Sequence, residues 1–337
     1  MDDIYPILEV IGQPGKKVLA TIVRVQGSAY KREGSAMLFF EDGKQIGMLT
    51  AGCLETDLAI KAEEVIEKQE AKLFQYHLSD EGDMSWGQGN GCNGTIDILL
   101  EPVSENLTED FFVVKRSLAR YQPVIMLKKL DELGEYLLIA EEGDPFGNWS
   151  GDIPEIAFTS KSGIIPGPHS IYQHTYQPKP RLIVFGAGPD AKPLVELAAK
   201  TGFLVTVCDW REAFCQKKYF PNASELLLGF PKNLLKQISF SPFDYVVIMT
   251  HHFERDQEIL KWVRKENIRY LGVLGPRERT KRLLKRDNVP DWIYSPVGRN
   301  IGAKGPEEIA VSIVAQLVEV WRTPVHERVQ LLWTIPD

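Results

Sequence analysis

Cysteine is scarce in this 337-residue chain, with four in all: Cys53, Cys92, Cys208 and Cys215. That density excludes a disulfide scaffold and points to reduced thiols in a cytoplasmic setting. The cysteines stand singly rather than at C-x-x-C spacing, and no nearby histidine pair completes a four-ligand set, which argues against structural zinc. Long apolar runs are missing too. None is long enough to span a bilayer, and the opening Met1-Asp2-Asp3-Ile4 is acidic rather than signal-like, so no membrane partner is expected. Nor is there a basic excess: 39 Lys and Arg face 46 Asp and Glu, a formal net charge of −7. A general nucleic-acid binder would want a basic face, so nucleic acid is excluded as a partner. What remains is ordinary globular material, 44% hydrophobic and 25% charged, long enough for two domains with separate cores.

The most informative stretch present runs from Arg181 to Ala198. An apolar strand enters Gly186-Ala187-Gly188 and passes into a helix, with Ala191 at the third fingerprint position. A second apolar run, Phe203 to Cys208, ends on Asp209, at the spacing where nucleotide folds hold a ribose diol. Glycines there permit a tight turn and let backbone N–H groups approach a phosphate at the positive end of the helix. The competing account is a glycine turn that merely packs helix on sheet. Beyond it, strands are predicted at 181–185, 203–208, 225–228, 244–249 and 269–274, and helices at 189–200, 254–266, 277–287 and 306–321. This alternation calls for a parallel, doubly wound sheet.

The first half is mixed α+β. Helices are predicted at 4–13, 54–69 and 106–120, and strands at 17–26, 37–40, 45–49, 71–77, 95–101, 122–129 and 135–140. Asp42-Gly43 marks a hairpin turn. From Ala140 to Pro180 the texture becomes loop-like, with 172–176 as a last strand and Tyr176–Pro180 as an extended connector. The domains are accordingly 1–177 and 178–337. The tail from Thr323 to Asp337 reads as edge packing.

Ligands of doubly wound sheets bind outside the carboxyl ends of the strands. Those ends carry Gly186 and Gly188, Asp209 and Arg211, His251 and His252, Gly275 and Arg277, and later Arg299. Asp209 is suited to accept from two hydroxyls, the arginines to grip an anion, and the histidines to orient a ligand or move protons. Any one of these alone reads more readily as a surface charge or a helix cap than as a functional residue; their joint placement points to a site. Two glycine–cysteine clusters mark the first half, Gly47 to Glu55 around Cys53 and Trp86 to Gly94 around Cys92. Cys53 precedes a helix, whose dipole would lower a thiol pKa, whereas spacing alone favours reading either thiol as a small buried apolar side chain. Between two strands, Gly27 to Met37 offers Ser28, Lys31, Arg32 and Ser35 as anion donors, or forms a solvated turn.

Gly27-Ser28, Arg32, Gly34 and Met37, with Gly52-Cys53-Leu54-Glu55 and Gly91-Cys92-x-Gly94, resemble the N-terminal domain of the XdhC/CoxI family. Val184 to Gly188, Asp209-x-Arg211, Gly272 to Arg279 and Pro296 to Ser312 resemble its C-terminal domain, so the likeness covers nearly the whole chain. It implies a Rossmann-like C-terminal domain preceded by an α+β domain, and an accessory role rather than catalysis. The cargo would be the molybdenum cofactor (molybdopterin), held for sulfuration by a cysteine desulfurase and inserted into a xanthine dehydrogenase-type molybdenum hydroxylase. On that reading Gly186, Gly188, Asp209, Arg211, His251, Gly275, Arg277, Arg32, Cys53 and Cys92 contact the cofactor, and a homodimer is the default assembly. Pro189-Asp190 departs from the family, which often carries a histidine there, and Asn93 replaces a glycine. An NAD(P)-dependent oxidoreductase and a nucleotide-sensing module are the alternative readings, the former with His251 or His252 as proton donor.

Overall fold

A computed structural model describes residues 4–52, 54–78, 94–156, 162–166 and 169–323. The chain divides into two compact units, Asp2–Pro178 and Lys179–Asp337. Among the described residues, no helix is long and apolar enough to cross a membrane.

The first unit contains α1 (Ile4–Val10), β1 (Lys17–Gly27), β2 (Ala36–Phe40), β3 (Gln45–Gly47), α2 (Glu55–Lys68), β4 (Lys72–His77) and β5 (Gly94–Pro102). It continues through α3 (Glu105–Ala119), β6 (Val124–Lys129), β7 (Tyr136–Ala140), β8 (Phe146–Asn148), β9 (Gly163–Ile165) and β10 (Ile171–Tyr176). Two five-stranded sheets result, ordered β3-β2-β1-β5-β4 and β8-β7-β6-β10-β9, and the pairings within them are antiparallel. Strand periodicity sends Val18, Ala20 and Ile22 of β1 toward Leu58, Ala62 and Val65 of α2. Leu19, from the other face, joins α1, α3 and Met126 of the second sheet in a separate core. A buried ion pair, Lys128 with Glu101, ties β6 to β5. The short strands β8 and β9 lie in the stretch predicted as loop; three residues rich in glycine leave too little alternation to read.

The second unit contains β11 (Arg181–Phe185), α4 (Ala191–Lys200), β12 (Leu204–Asp209), β13 (Glu225–Leu228), α5 (Pro231–Gln237), β14 (Asp244–Ile248) and α6 (Phe253–Val263). It ends with β15 (Tyr270–Val273), α7 (Arg277–Leu284), β16 (Ile293–Tyr294) and α8 (Pro306–Arg322). Its six strands are parallel in the order β13-β12-β11-β14-β15-β16. Numbered within the unit, that is 3-2-1-4-5-6, the doubly wound order that reverses between its first and fourth strands. Successive residues supply opposite cores: Leu182 and Val184 face α4 and α8, while Ile183 and Phe185 face α5, α6 and α7. The α/β expectation therefore holds, with α5 and β16 as additions too short to carry a period.

Candidate functional site

At the mouth of the parallel sheet, the glycine turn is shaped by its neighbours. Gly186 has φ +121°, and a Cβ there would stand 2.5 Å from the Met249 carbonyl oxygen and 3.0 Å from Thr250 Cα. Close approach of the backbone just beyond β14 is what demands glycine at this position. The Gly186 N–H donates to the Cys208 carbonyl at 2.8 Å. The next N–H, of Ala187, donates to Asp209 Oδ2 at 2.7 Å.

Asp209 is almost wholly buried, and protein donors already fill it. Arg211 gives it a fork, Nε to Oδ1 at 2.9 Å and an Nη to Oδ2 at 2.7 Å, while the Arg211 backbone N–H reaches Oδ1 at 2.8 Å. Burial opposes ionisation, but these hydrogen bonds outweigh it and hold the carboxyl below its ordinary range. The geometry thus leaves Asp209 bracing the turn rather than facing outward for a diol. Arg211, expected as an anion grip, is spent on Asp209 and packed over Trp210 at 4.7 Å and Phe214 at 4.5 Å.

The other arginines are similarly engaged. Arg277 donates to the Val289 carbonyl at 2.8 Å and the Ser295 carbonyl at 3.4 Å, fastening α7 to the chain on both sides of β16. Arg299 pairs with Glu319 of α8. Arg279 closes on buried Asp256 at 2.6 Å, whose other oxygen accepts from the Thr250 hydroxyl. Gly275 has φ +105°, beside the Arg279 stem. The Pro296–Ser312 run, distinctive in sequence, is a fastening as well. The Ser312 hydroxyl donates to the Arg299 carbonyl at 2.7 Å, and Gln316 Oε1 accepts from Gly298 N–H and the Tyr270 hydroxyl.

The histidines separate in role. His252 caps α6, its Nδ1 accepting weakly from Arg255 N–H at 3.5 Å. His251 stands at φ +60° with its ring largely exposed, and its Nε2 lies 2.6 Å from Asp190 Oδ2. The structure therefore brings Gly186, Gly188, Asp209, Arg211 and His251 around one turn, and puts Arg277 to work on backbone carbonyls.

In the first unit the register brings the strand ends that flank the motif segments to one end of the first sheet. Gly27 pairs with Gly94, Met37 with Gly47, and His77 with Thr95. The start of the Arg32 loop at Gly27, the end of β3 at Gly47 and the start of β5 at Gly94 thus lie at the same end. Cys53 and Cys92 lie outside the described residues. Before α2 the backbone wraps a carboxylate: Glu55 accepts from the N–H groups of Leu49 (3.1 Å), Thr50 (2.7 Å) and Gly52 (2.9 Å), and from the Thr50 hydroxyl (2.7 Å). Burial raises the Glu55 carboxyl, yet these donors prevail and its pKa falls. Ala51 (φ +54°) and Gly52 (φ +104°) are exposed at the crest. Arg32 is exposed also, with a long 3.4 Å bond to the Gly27 carbonyl. Among the described residues, no cluster of three or more His, Cys, Asp or Glu is arranged to hold a metal.

The two units correspond to known sequence families. The model described as "XdhC Rossmann domain" matches residues 182–317, and "XdhC and CoxI family" matches 11–77. A Bacillus subtilis protein named as a probable xanthine dehydrogenase subunit is 42% identical over 325 residues, covering 95% of this chain and 98% of that protein. The chain belongs to the XdhC and CoxI family. A further family model, "BH1974-like, central domain", matches residues 105–177, which span α3 and the second antiparallel sheet. The Escherichia coli protein named molybdenum cofactor insertion chaperone PaoD is 24% identical over 311 residues, 90% of this chain and 83% of its own length. The crystal structure titled a xanthine dehydrogenase (BH1974) from Bacillus halodurans aligns with a TM-score of 0.86 at 47% identity, covering 96% of each chain.

Two residues of this XdhC-family chain escape a reading of the sequence as site residues. Asp190 stands out there only as a departure from the family, and Glu55 only as part of a motif. An acid two places beyond a glycine turn, or one opening a helix, is common on surfaces, and the folded contacts alone reveal what each holds.

Proposed function

We propose that this chain is an accessory protein for a xanthine dehydrogenase-type molybdenum hydroxylase, one that holds the molybdenum cofactor and helps insert it. The observation that carries the reading is near full-length relationship to two proteins, one named a xanthine dehydrogenase subunit and one a cofactor insertion chaperone. The saturated Asp209 weighs against the NAD(P) oxidoreductase reading, since both its oxygens already accept from Arg211 and Ala187.

A phosphorylated pterin needs a cation for its phosphate and backbone that permits close approach. The end of the first antiparallel sheet fits those needs better than the glycine turn. Arg32 is exposed there, and no described atom lies within 4 Å of where a Gly52 Cβ would be. Arg32 would pair with the phosphate, and Cys53 and Cys92, close in sequence to Gly52 and Gly94, would supply thiolates. A cysteine desulfurase and the apo-enzyme are the partners this role requires, with a homodimer as the working assembly.

The test is co-expression of the full chain with an apo molybdenum hydroxylase, and isolation of the accessory chain for cofactor content. Cofactor co-purifying with the chain, together with higher molybdenum occupancy of the client, is the expected result. Equal client occupancy with and without the chain, and no cofactor on it, would overturn the reading. Cys53→Ala and Cys92→Ala address the thiols separately: unchanged cofactor retention in both removes them from the role.

A further inference from the structure

The glycine turn of the parallel sheet has the fingerprint of a dinucleotide site but not its chemistry. A phosphate seat needs free N–H donors and a positive potential at the helix N-terminus. Here several of the donors are committed or missing. Gly186 N–H goes to the Cys208 carbonyl, Ala187 N–H to Asp209, and Ala191 N–H to the Gly188 carbonyl at 3.1 Å. Pro189 has no N–H to offer. The charge is wrong as well. Asp190 Oδ1 lies 2.6 Å from the point where a Gly188 Cβ would stand, so a carboxylate covers the face that a pyrophosphate would approach. His251 fixes that carboxylate through Oδ2 at 2.6 Å. The neighbouring guanidinium, Arg211, is forked onto Asp209.

We propose that Asp190, held by His251, is a specificity-determining residue that closes this Rossmann turn to phosphate-bearing nucleotides. The chain's own anion occupies the position that a dinucleotide would use, so the fold is kept while its common ligand is rejected. The inference is independent of the cofactor reading, because it concerns what the turn refuses and holds whether or not molybdopterin binds elsewhere.

Binding of NADH, ADP and inorganic pyrophosphate to the full-length protein tests it, by fluorescence for NADH and calorimetry for the others. The unaltered chain is expected to show dissociation constants weaker than about 1 mM, the scale of non-specific contact. Asp190→Asn, which removes the charge at nearly constant shape, is expected to tighten pyrophosphate and ADP at least ~10-fold. Asp190→Glu, which keeps the charge, and His251→Ala, which frees the carboxylate without neutralising it, are expected to gain nothing. Micromolar NADH binding by the unaltered chain overturns the proposal. So does a folded Asp190→Asn protein, with unchanged circular dichroism and melting temperature, that binds no better. A gain shared equally by Asp190→Asn and Asp190→Glu would show loosening of the turn rather than relief of repulsion, and would overturn it too. Client maturation is a separate readout, so failure here leaves the accessory role standing and failure there leaves this one.

Discussion

Each unit contains a glycine-rich turn wrapped around an acid of the chain itself, and the two turns do opposite things with it. Asp209 is buried, forked by Arg211 and linked to Ala187 N–H, so its turn is a closed internal joint. Glu55 takes three backbone N–H groups and a hydroxyl, and its turn carries Ala51 and Gly52 exposed at the surface. The same device, a carboxylate satisfying donors that a foreign anion would otherwise take, locks one loop inward and displays the other. Glycine spacing alone does not distinguish a ligand cradle from a packing joint; the fate of the neighbouring N–H groups does.

The largest effect expected from breaking this comparison is at Gly186. Alanine there would collide with the Met249 carbonyl and be held at φ +121°. Overpacking and backbone strain together should cost about 3–4 kcal/mol, read from the shift in urea midpoint. Arg211→Ala comes next. It strips the fork from a buried carboxylate but leaves two backbone N–H donors in place, so the loss should be about 2–3 kcal/mol, short of the full penalty for an orphaned charge. A loss under about 0.5 kcal/mol would mean that Asp209 does not depend on Arg211.

Much of this fold was legible in the sequence, because its long strands carry clear periods. Leu182–Phe185 announces a buried strand by unbroken apolarity and Val205–Cys208 by a run interrupted only at Thr206, while the Val- and Ile-rich run of β1 marks a strand without saying that it has a core on each side. Short edge strands such as β8 and β9 have no period to read. The site was harder for a different reason. The sequence locates Asp209, Arg211 and His251 at one sheet edge, yet it cannot say which of them are consumed by each other. Asp209 and Arg211 are two residues apart, close enough for a fork, whereas the Asp190–His251 contact joins residues separated by 61 positions. Gly298 is similar: the sequence marks it only within the Pro296 to Ser312 resemblance, and its N–H, donating to Gln316 Oε1 18 positions on, shows a fastening.

Acid should sharpen the contrast from the other side. The Glu55 carboxyl is depressed in the folded chain, so its stabilisation is complete above the unfolded carboxyl range near about 4.3 and is lost as pH falls through the folded value. Glu55→Gln keeps one acceptor but weakens a charged network. It is expected to cost about 1–2 kcal/mol at pH 7, with the gap to the unaltered protein narrowing below pH 4. Melting curves across that range check it. A gap that widens on acidification has the wrong sign for a carboxylate acting as the anion.

The smallest expected effect carries the comparison furthest. Gly52, like Gly186, has a left-handed φ, at +104°, but no described atom lies within 4 Å of where its Cβ would be. Alanine at position 52 therefore meets backbone strain without collision, and should cost about 1 kcal/mol, a third or less of the Gly186→Ala effect. Because both substitutions impose a methyl group on a positive φ, the strain is shared, and the difference between their urea midpoints isolates packing. Equal losses at the two sites would mean that the crest at Gly52 is packed as tightly as the inner joint. A difference of the expected size would fix one glycine as demanded by its neighbours and the other by the turn alone, the condition for a loop that keeps its outer face open.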